Sequence, residues 1–489
     1  MRILHTADWH LGHTLRDHAR TVEHAHFLRW LVAVVVERNV DAVLISGDVF
    51  ERANPTPEAW RLWFEFLGDL KRARPRIHVV VIAGNHDSAQ RLEAPRELLQ
   101  AFDVRVIGQL RRDESGLLDF EDLLVPLRGA GGEVEAWCVG IPFLRQSDVL
   151  GLVEMASDHP SETAADPNGG AFASGETSGE ASAETSGPVL IPRPVAAGSQ
   201  ATASEAGDPL IEGMRILHER VFAAARERRQ PGQALVAMAH GYLVGGALSE
   251  LSERKVLGGN QHALPVDLFP GDCAYVALGH LHRPQPLAGL EHVRYSGSPI
   301  PLSMPERLHA HHVVFCDLDG EGVEKIWSLR TPRIVDLLRL PERGELEPDE
   351  ALAAVAALPE RDPETLDEHR AFVEVAVRLR EPSPAIAERI ARAIADRDVR
   401  LVRVEVVLAE RPDPIRSGGR PSELSALSVE QVFRQRYQRD YDGEVPAPLL
   451  KAFRELVEHV EHGELGDSSP AVSAPPVDKP AAGKRGGTP

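Results

Sequence analysis

Five short apolar runs in the first two-thirds of the chain each end in Asp, Asn or His residues. The runs and their ends read "ILHTADWH", "VLISGDVF", "VVIAGNHD", "LVAMAHG" and "YVALGHLH". Apolar β-branched runs of this length are typical of strands buried inside an α/β protein. Because loops converge at the carboxyl ends of such strands, we expect one site assembled from all five ends.

Helical patterns separate these runs, so strands and helices alternate from residue 1 to about residue 157. We predict strands at "DAVLIS" and "HVVVIA" and helices at 17–38, 56–72 and 209–229. This alternation favours an α/β fold. The chain has 489 residues, of which 43% are hydrophobic and 26% charged, and is long enough for two or three domains with separate cores.

Composition divides the chain further. Residues 158–208 are rich in Gly, Ser, Thr, Ala and Glu and almost free of aromatic residues, so we expect a disordered insertion there. "RAFVEVAVRL" and "VRLVRVEVVL" flank a helical pattern, which predicts a small strand–helix–strand unit. The predicted regions are a first domain at 1–333, a small domain at 334–410, a linker at 411–427, helices at 428–463 and a disordered tail at 464–489.

Charge and cysteine content narrow the class of protein. The net charge of −20 argues against binding nucleic acid through bulk positive charge, but not against a site where bound metal supplies that charge. Cys138, Cys273 and Cys316 match no zinc spacing, so we expect a reduced, cytoplasmic protein. "MRILHTADWH" does not resemble a signal peptide, and no stretch approaches the ~20 apolar residues of a membrane span, so we expect no membrane association.

The strand-end residues offer carboxylates, imidazoles and one amide oxygen, without thiolates. Mixed oxygen and nitrogen ligands suit manganese, iron or zinc, and Mn²⁺ fits a site with several oxygen ligands. A bridging carboxylate can hold two ions about 3.5–4 Å apart, where they activate a water and bind a phosphate together. We expect Asp48 to be that bridge. Asp8 and His10, like His280 and His282, are two residues apart, and alternate residues of an extended chain point the same way.

The motifs "DWHLG", "GDVF", "GNHD", "AHG" and "GHLH" resemble those of the calcineurin-like metallophosphoesterases. "HTADWHLG", "GDVFERANP" and "YSGSPIPLSMPE" are similar to the SbcD family in particular, the nuclease subunits of bacterial SbcCD complexes. The resemblance is strong over residues 1–329 apart from the insertion. It implies a β-sandwich flanked by helices, with a small α+β capping domain and C-terminal helices.

The resemblance also implies a role for each strand-end residue. The implied ligands are Asp8, His10 and His282 for one metal, Asn85, His240 and His280 for the other, and Asp48 as the bridge between them. His86 matches the family's catalytic histidine, which contacts the scissile phosphate and helps the leaving oxygen depart. Asp87 is expected to orient His86. One position departs from the family: Glu51 stands three residues after the bridge, where Asp or His is usual.

The implied activity is a metal-dependent DNA exonuclease and endonuclease with two divalent ions, most simply Mn²⁺. Its implied partners are an SbcC-type ATPase and double-stranded DNA ends and hairpins. The family pattern further implies DNA contacts from the capping domain, a homodimer within a heterotetramer, and a cytoplasmic, nucleoid-associated role in DNA repair, recombination and replication.

Two other functions fit parts of this pattern. A phosphomonoesterase or small-nucleotide phosphodiesterase could use the same ligands, but a small substrate requires neither the domain after residue 334 nor the late helices. "GDVFERA" also stands where serine/threonine phosphatases carry "GDxVDRG". A non-catalytic scaffold would be indicated by lost ligands, whereas every expected ligand is present.

Two apolar helix faces have two interpretations each. The first face consists of Trp60, Trp63, Phe64 and Leu67, which either pack in the core or form a dimer contact. The second consists of Val432, Phe433 and Tyr437, which either pack on their own domain or bind the ATPase partner.

Overall fold

The computed structural model describes residues 1–113, 118–145, 148–149, 152, 209–247, 263–381 and 383–408, and single positions between 430 and 453. The predicted insertion at 158–208, linker at 411–427 and tail at 464–489 lie outside the described residues. Those three predictions therefore stay predictions.

The described strands follow the predicted alternation with helices. They are β1 (Arg2–Thr6), β2 (Thr14–Leu15), β3 (His18–Ala19), β4 (Ala42–Ser46), β5 (His78–Ile82), β6 (Val104–Ile107), β7 (Leu124–Arg128), β8 (Val134–Ile141), β9 (Ala234–His240), β10 (Tyr275–Gly279), β11 (Gln285–Leu287), β12 (Leu290–Tyr295), β13 (His312–Asp319), β14 (Gly322–Arg330), β15 (Leu337–Leu340), β16 (Ala371–Leu379) and β17 (Val399–Leu408). The α-helices are α1 (Thr21–Glu37), α2 (Pro57–Ala73), α3 (Ala89–Glu93), α4 (Arg96–Gln100), α5 (Pro209–Arg228), α6 (Pro348–Ala356) and α7 (Pro384–Ile394).

Two six-stranded sheets form a sandwich. Their strand orders are β14-β13-β1-β4-β5-β6 and β11-β12-β10-β9-β8-β7. In the first sheet β1, β4, β5 and β6 run parallel, and in the second β8, β9, β10 and β12 do. Strand β4 lies against β9 and β10 of the other sheet. The parallel strands of both sheets therefore present their carboxyl ends at one edge of the sandwich.

Helices cover the outer faces of the sandwich. Leu4, Val43 and Val81 of the first sheet pack with residues of α1 and α2, and Ile3, Leu44 and Val80 pack in the core that both sheets share. Helix α5 adds Leu217 and Val221 to that shared core. Strands buried on both faces explain the continuous apolar runs in the sequence. The predicted α/β sandwich with flanking helices is confirmed.

The aromatic face of α2 divides between core and surface. Trp63 and Leu67 are buried in the core beneath the first sheet. Phe64 is 44% exposed and its ring stacks on that of Trp60, with centroids 5.5 Å apart. Core packing therefore accounts for part of this face, and its dimer interpretation stays a prediction.

A third sheet, with order β15-β16-β17, is entirely parallel. Helices α6 and α7 lie between its consecutive strands in the chain, and Val355, Val375 and Ile390 contribute to its core. The predicted strand–helix–strand unit is thus extended by β15 and α6. Phe372 connects this unit to the sandwich, because its ring centroid lies 5.3 Å from the guanidinium carbon of Arg20.

The helix predicted at 17–38 begins four residues later than expected. Strands β2 and β3 form a short hairpin there, and Arg16 at its turn has a φ of 57°. The backbone N–H of Arg20 donates to the carbonyl of His13, which directs the chain into α1. By contrast, α2 begins where its sequence signal predicts, since the Thr56 side chain accepts a hydrogen bond from the N–H of Ala59.

The described positions between 430 and 453 belong to a compact unit of their own, separate from the one that holds all three sheets. Within it, the rings of Phe433 and Phe453 stack with centroids 4.0 Å apart. Phe433 thus packs within its own unit, as one interpretation of the late helix predicted, while Val432 lies outside the described residues. Among the described helices, none has the length and apolar character needed to cross a membrane.

Candidate metal centre

The structure brings the predicted strand-end side chains together. Asp8 and His10 follow β1, Asp48 follows β4, Asn85 and His86 follow β5, His240 ends β9, and His280 and His282 follow β10. Three sets of side chains have ligand atoms within 4.8 Å of one another: Asp8, His10 and His282; Asp8, Asp48 and His240; and His10, Asp48 and His86. Sequence positions more than 270 residues apart therefore share one cluster.

The backbone at this cluster is not extended. Asp8, His10 and Asp48 have φ angles of 55°, 48° and 49°, and His280 has a φ of 106°. The expectation that the Asp-x-His and His-x-His spacings work through an extended chain is therefore wrong. Residues in such conformations cost of order 1–3 kcal/mol each, so surrounding contacts must hold them. The N–H groups of Asp8 and His10 supply such contacts by donating to the carbonyls of Gly47 and Asp48, both at 3.0 Å.

Two glycines permit the close approach of the loops. A Cβ atom at Gly84 would lie 2.1 Å from Oδ1 of Asp48. A Cβ atom at Gly279 would lie 1.8 Å from the carbonyl oxygen of Ser46. Neither position can accept a larger residue unless the site shifts. The glycines that precede the ligand residues in the motifs are thus required by space at the site.

Asp48 occupies the centre of the cluster. Its Oδ2 lies 3.6 Å from Nε2 of His10 and 3.4 Å from Nε2 of His240. Its Oδ1 accepts a hydrogen bond from the N–H of His86 at 2.8 Å. Burial opposes ionisation of Asp48, but the histidines around it, His240 first, lower its pKa well below the usual range. One ionised carboxylate therefore faces imidazoles on both sides.

Asn85 and His240 meet inside the cluster. The Nδ1–H of His240 donates to the carbonyl of Ser46 at 2.8 Å. Its Nε2 lies 3.1 Å from Oδ1 of Asn85, so the protonated ring donates to the amide oxygen there, whereas the neutral ring presents a lone pair. Nδ1 of His280 lies 2.9 Å from the same oxygen. Burial lowers the pKa of His240, but Asp48 outweighs it and raises that pKa to about 9, so the site favours a positive charge at this point.

The ring of His10 shows the same preference for a cation. Its Nδ1 lies 3.0 Å from Oε2 of Glu51, and its buried Nε2 has no hydrogen-bond partner among the described residues. A proton on Nδ1 leaves a lone pair on Nε2, directed at the region beside Asp48. Burial also raises the pKa of Asp8 to about 7, which indicates a carboxylate whose charge its neighbours only partly neutralise. These atoms fit divalent cations with nitrogen and oxygen ligands.

Sequence reasoning missed one carboxylate of the site. Nδ1 of His282 lies 3.2 Å from Oε1 of Glu306, which is fully buried. Glu306 also accepts hydrogen bonds from the N–H of Leu302 at 2.8 Å and from Oγ of Ser303 at 3.2 Å. The signal was present in "YSGSPIPLSMPE", whose last residue is Glu306, but only the fold brings it to His282. Glu51 and Glu306 thus contact the distal nitrogens of two predicted ligands.

The predicted contact between Asp87 and His86 is wrong. The carboxylate of Asp87 instead accepts hydrogen bonds from the N–H groups of Val49, Phe50 and Gly84 at 3.2, 2.9 and 2.9 Å. It therefore joins the loops that follow β4 and β5. The Nδ1–H of His86 donates to the backbone carbonyl of Glu51 at 2.8 Å, and this contact orients the ring.

Comparisons with known proteins identify families and relatives that this chain resembles. Residues 1–136 match the family described as calcineurin-like phosphoesterase, and residues 333–441 match the type 5 capsule protein repressor C-terminal domain. Three relatives bear the name of the SbcD component of nuclease SbcCD. The Rhodobacter capsulatus protein is 37% identical over 88% of this chain and 93% of its own length. The Escherichia coli protein is 28% identical over 89% and 92%, and the Bacillus subtilis protein 30% over 67% and 68%.

The resemblance noted in the motifs is thus confirmed over most of the chain. The match with the Rhodobacter capsulatus protein spans 436 residues, and the two family matches cover part of the sandwich and the third sheet. The chain belongs to the SbcD family of nuclease subunits, with a calcineurin-like phosphoesterase domain in its amino-terminal part.

Proposed function

We propose that this chain is the nuclease subunit of an SbcCD-type complex and hydrolyses phosphodiester bonds in DNA with two divalent ions, Mn²⁺ first among them. The observation that carries the proposal is the position of the Asp48 carboxylate, within 3.6 Å of His10 and 3.4 Å of His240. A carboxylate between two sets of imidazoles is what a bridged pair of cations requires.

The side chains around Asp48 would divide into two ligand sets. One set would be Asp8, His10 and His282, and the other would be Asn85, His240 and His280. When bound, the two ions would supply Lewis acidity and lower the pKa of a water toward neutrality. The N–H of His280 donates to Oδ1 of Asp8 at 2.9 Å, and this hydrogen bond fixes the position of one proposed set relative to the other.

His86 would contact the substrate rather than serve only as a metal ligand. Its ring is only partly buried, and one of its ligand atoms lies within 4.8 Å of those of His10 and Asp48. With its Nδ1–H directed to the Glu51 carbonyl, the ring is oriented before substrate arrives. In its protonated form it would stabilise charge on the phosphoryl oxygens and donate a proton to the departing oxygen.

Further parts of the chain would serve the complex. Residues 334–410 would form the capping domain that contacts DNA, and the helices at 428–463 would bind the SbcC-type ATPase. The names of the relatives support an SbcCD assembly. The working form would be a homodimer within a heterotetramer. It would cut double-stranded ends as an exonuclease and hairpins as an endonuclease. It would act in the cytoplasm, at the nucleoid, during DNA repair, recombination and replication.

The test is cleavage of an end-labelled DNA hairpin by the purified chain, with Mn²⁺ or Mg²⁺ and with or without the ATPase partner. Asp48→Ala and His86→Ala should abolish cutting, because they remove the bridge and the group that acts on the phosphate. His292→Ala, a partly buried histidine outside the cluster, is the matched control. Intact DNA in every condition, together with hydrolysis of a small phosphodiester, would instead favour a small-substrate phosphoesterase.

A further inference from the structure

A cavity is lined by residues next to Glu306, the carboxylate that contacts His282 of the metal centre. The carboxylate of Glu306 contacts His282, while its backbone carbonyl accepts hydrogen bonds from Nε2 of His311 at 3.1 Å and from the N–H of His309 at 2.8 Å. His309 and His311 line the cavity, which has a volume of about 440 Å³. This volume suits a ligand the size of a nucleotide, since ligand pockets typically span ~300–1,000 Å³.

The charge of this cavity differs from that of the chain. Three arginines, Arg307, Arg330 and Arg333, line it together with one carboxylate, Glu23. Glu23 is 5% exposed and already forms an ion pair with the buried Arg20. Among the described residues, no carboxylate lies within ion-pair distance of the three arginines. In a protein of net charge −20, three guanidinium groups therefore line one cavity without an ion-pair partner among the described residues, and Arg330 and Arg333 are exposed.

Hydrogen bonds hold two of these arginines without cancelling their charge. Arg333 donates to the backbone carbonyl of Arg307 at 3.0 Å, and Arg307 donates to the carbonyl of Glu342 at 3.2 Å. Burial lowers the pKa of Arg333; Asp336 opposes this change, and Arg20 and Arg330 add to it. A bound anion would accept charge-assisted hydrogen bonds from these guanidinium groups.

The remaining wall of the cavity is apolar. It consists of Pro299, Ile300, Pro301, Leu308, Pro332 and Ile334. Leu308 is 70% exposed, so its side chain is available to a ligand in the cavity. A ligand that fits both walls has an anionic group for the arginines and an apolar body for the prolines and Leu308. A nucleotide has both.

We propose that this arginine cavity binds a nucleotide unit of the same DNA strand whose phosphodiester lies at the metal centre, with its phosphate on Arg330 and Arg333 and its sugar and base against Leu308. The inference rests on the proposed nuclease function, because it assumes a strand at the metal centre. The cavity would then hold the strand in register and contribute binding energy that a small diester does not receive.

The test is direct binding of a labelled, phosphorothioate-linked single-stranded oligonucleotide to the full Mn²⁺-loaded chain, measured by fluorescence anisotropy. The cavity variant is Arg330→Gln with Arg333→Gln. The matched control is Arg76→Gln with Arg220→Gln, which changes net charge equally at exposed arginines outside the cavity. The Kd should rise about tenfold or more in the cavity variant, in keeping with two lost charge-assisted hydrogen bonds. The slope of log Kd against log salt should fall by about 1.4.

Restoring charge with Arg330→Lys and Arg333→Lys should recover part of the affinity. Equal changes in the cavity and control pairs would overturn the proposal, since bulk charge would then explain the binding. Failure of the wild-type chain to bind the oligonucleotide would also overturn it. The same holds if a deoxynucleoside monophosphate competes as effectively as the oligonucleotide, because the cavity would then be a product site. Cleavage of the hairpin is measured separately. If the cavity variant raises the Kd but the hairpin is never cut, the nuclease function is refuted, and the cavity is a nucleic-acid binding site without that function.

Discussion

The Oε2 atom of Glu51 lies 3.0 Å from Nδ1 of His10, at the residue where the chain departs from the family pattern. Burial opposes ionisation of Glu51, but the hydrogen bond to His10 outweighs it and lowers the pKa of Glu51 to about 2. The carboxylate is therefore ionised at neutral pH and accepts the Nδ1 proton of His10. Because the Glu51 carbonyl also contacts His86, one residue positions a predicted metal ligand and the predicted catalytic histidine.

Glu51→Ala should weaken Mn²⁺ binding by about 10–100-fold, because an outer-shell carboxylate fixes the tautomer and orientation of the ligand imidazole. Glu51→Gln should bind Mn²⁺ with an affinity between those of Glu51→Ala and the wild type, since its amide oxygen can still accept a hydrogen bond from His10. Isothermal titration calorimetry on the full chain measures the affinity. Glu97→Ala, at an exposed glutamate, is the control, and an unchanged affinity in Glu51→Ala would contradict the positioning role.

Glu306→Ala should reduce both metal affinity and stability, unlike Glu51→Ala. The carboxylate is fully buried and accepts hydrogen bonds from Leu302 and Ser303 in addition to contacting His282. Each buried donor left without a partner costs about 1–3 kcal/mol of unfolding free energy. Urea denaturation of the metal-free chain measures the free energy of unfolding, and calorimetry measures the metal affinity. A loss of affinity with an unchanged urea midpoint would show that the backbone near Leu302 does not depend on this carboxylate.

Gly84→Ala should damage the metal centre, because its Cβ atom would lie 2.1 Å from Oδ1 of Asp48. Asp48 or the loop after β5 must then move, and overpacking of this kind costs about 1–3 kcal/mol. We expect Mn²⁺ affinity to fall with hairpin cleavage. Gly131→Ala is the control, since a Cβ atom there has nothing within 4 Å. Normal metal affinity in Gly84→Ala would show that the loop accommodates the methyl group.

His218 should make the fold sensitive to acid. Burial lowers its pKa to about 4, against an opposing hydrogen bond to the carbonyl of Met214, whereas the unfolded chain titrates near 6.5. The folded state therefore binds fewer protons below pH 6.5, and stability is lost as pH falls from about 6.5 toward 4. The loss attributable to His218 is about 2 kcal/mol between pH 7 and pH 5.

His218→Gln should remove that part of the pH dependence, measured by urea denaturation at pH 7 and pH 5. His369→Gln changes an exposed histidine and should leave the dependence as it is in the wild type. The same slope in all three proteins would mean that His218 is protonated in the folded state without penalty.

Local sequence patterns predicted much of this fold. Apolar runs such as "VVIA" identify buried strands because their β-branched side chains suit a sheet covered on both faces. Thr56 followed by Pro57 marks the start of α2, since the Thr hydroxyl accepts from an N–H and proline lacks one. The hairpin at 14–19 escaped prediction because its two-residue strands are too short for a periodic pattern.

The sequence by itself determined which residues end each strand and therefore which ligand types the site can contain. Only the tertiary structure decided that His240 lies 3.4 Å from Asp48, that Glu306 contacts His282, and that Asp87 bonds backbone amides rather than His86. The physical reason is the distance along the sequence over which each effect acts. Strand and helix propensities depend on neighbours a few residues apart, whereas these contacts depend on sheet order and on left-handed backbone at Asp8, His10 and Asp48 that packing of the whole sandwich stabilises.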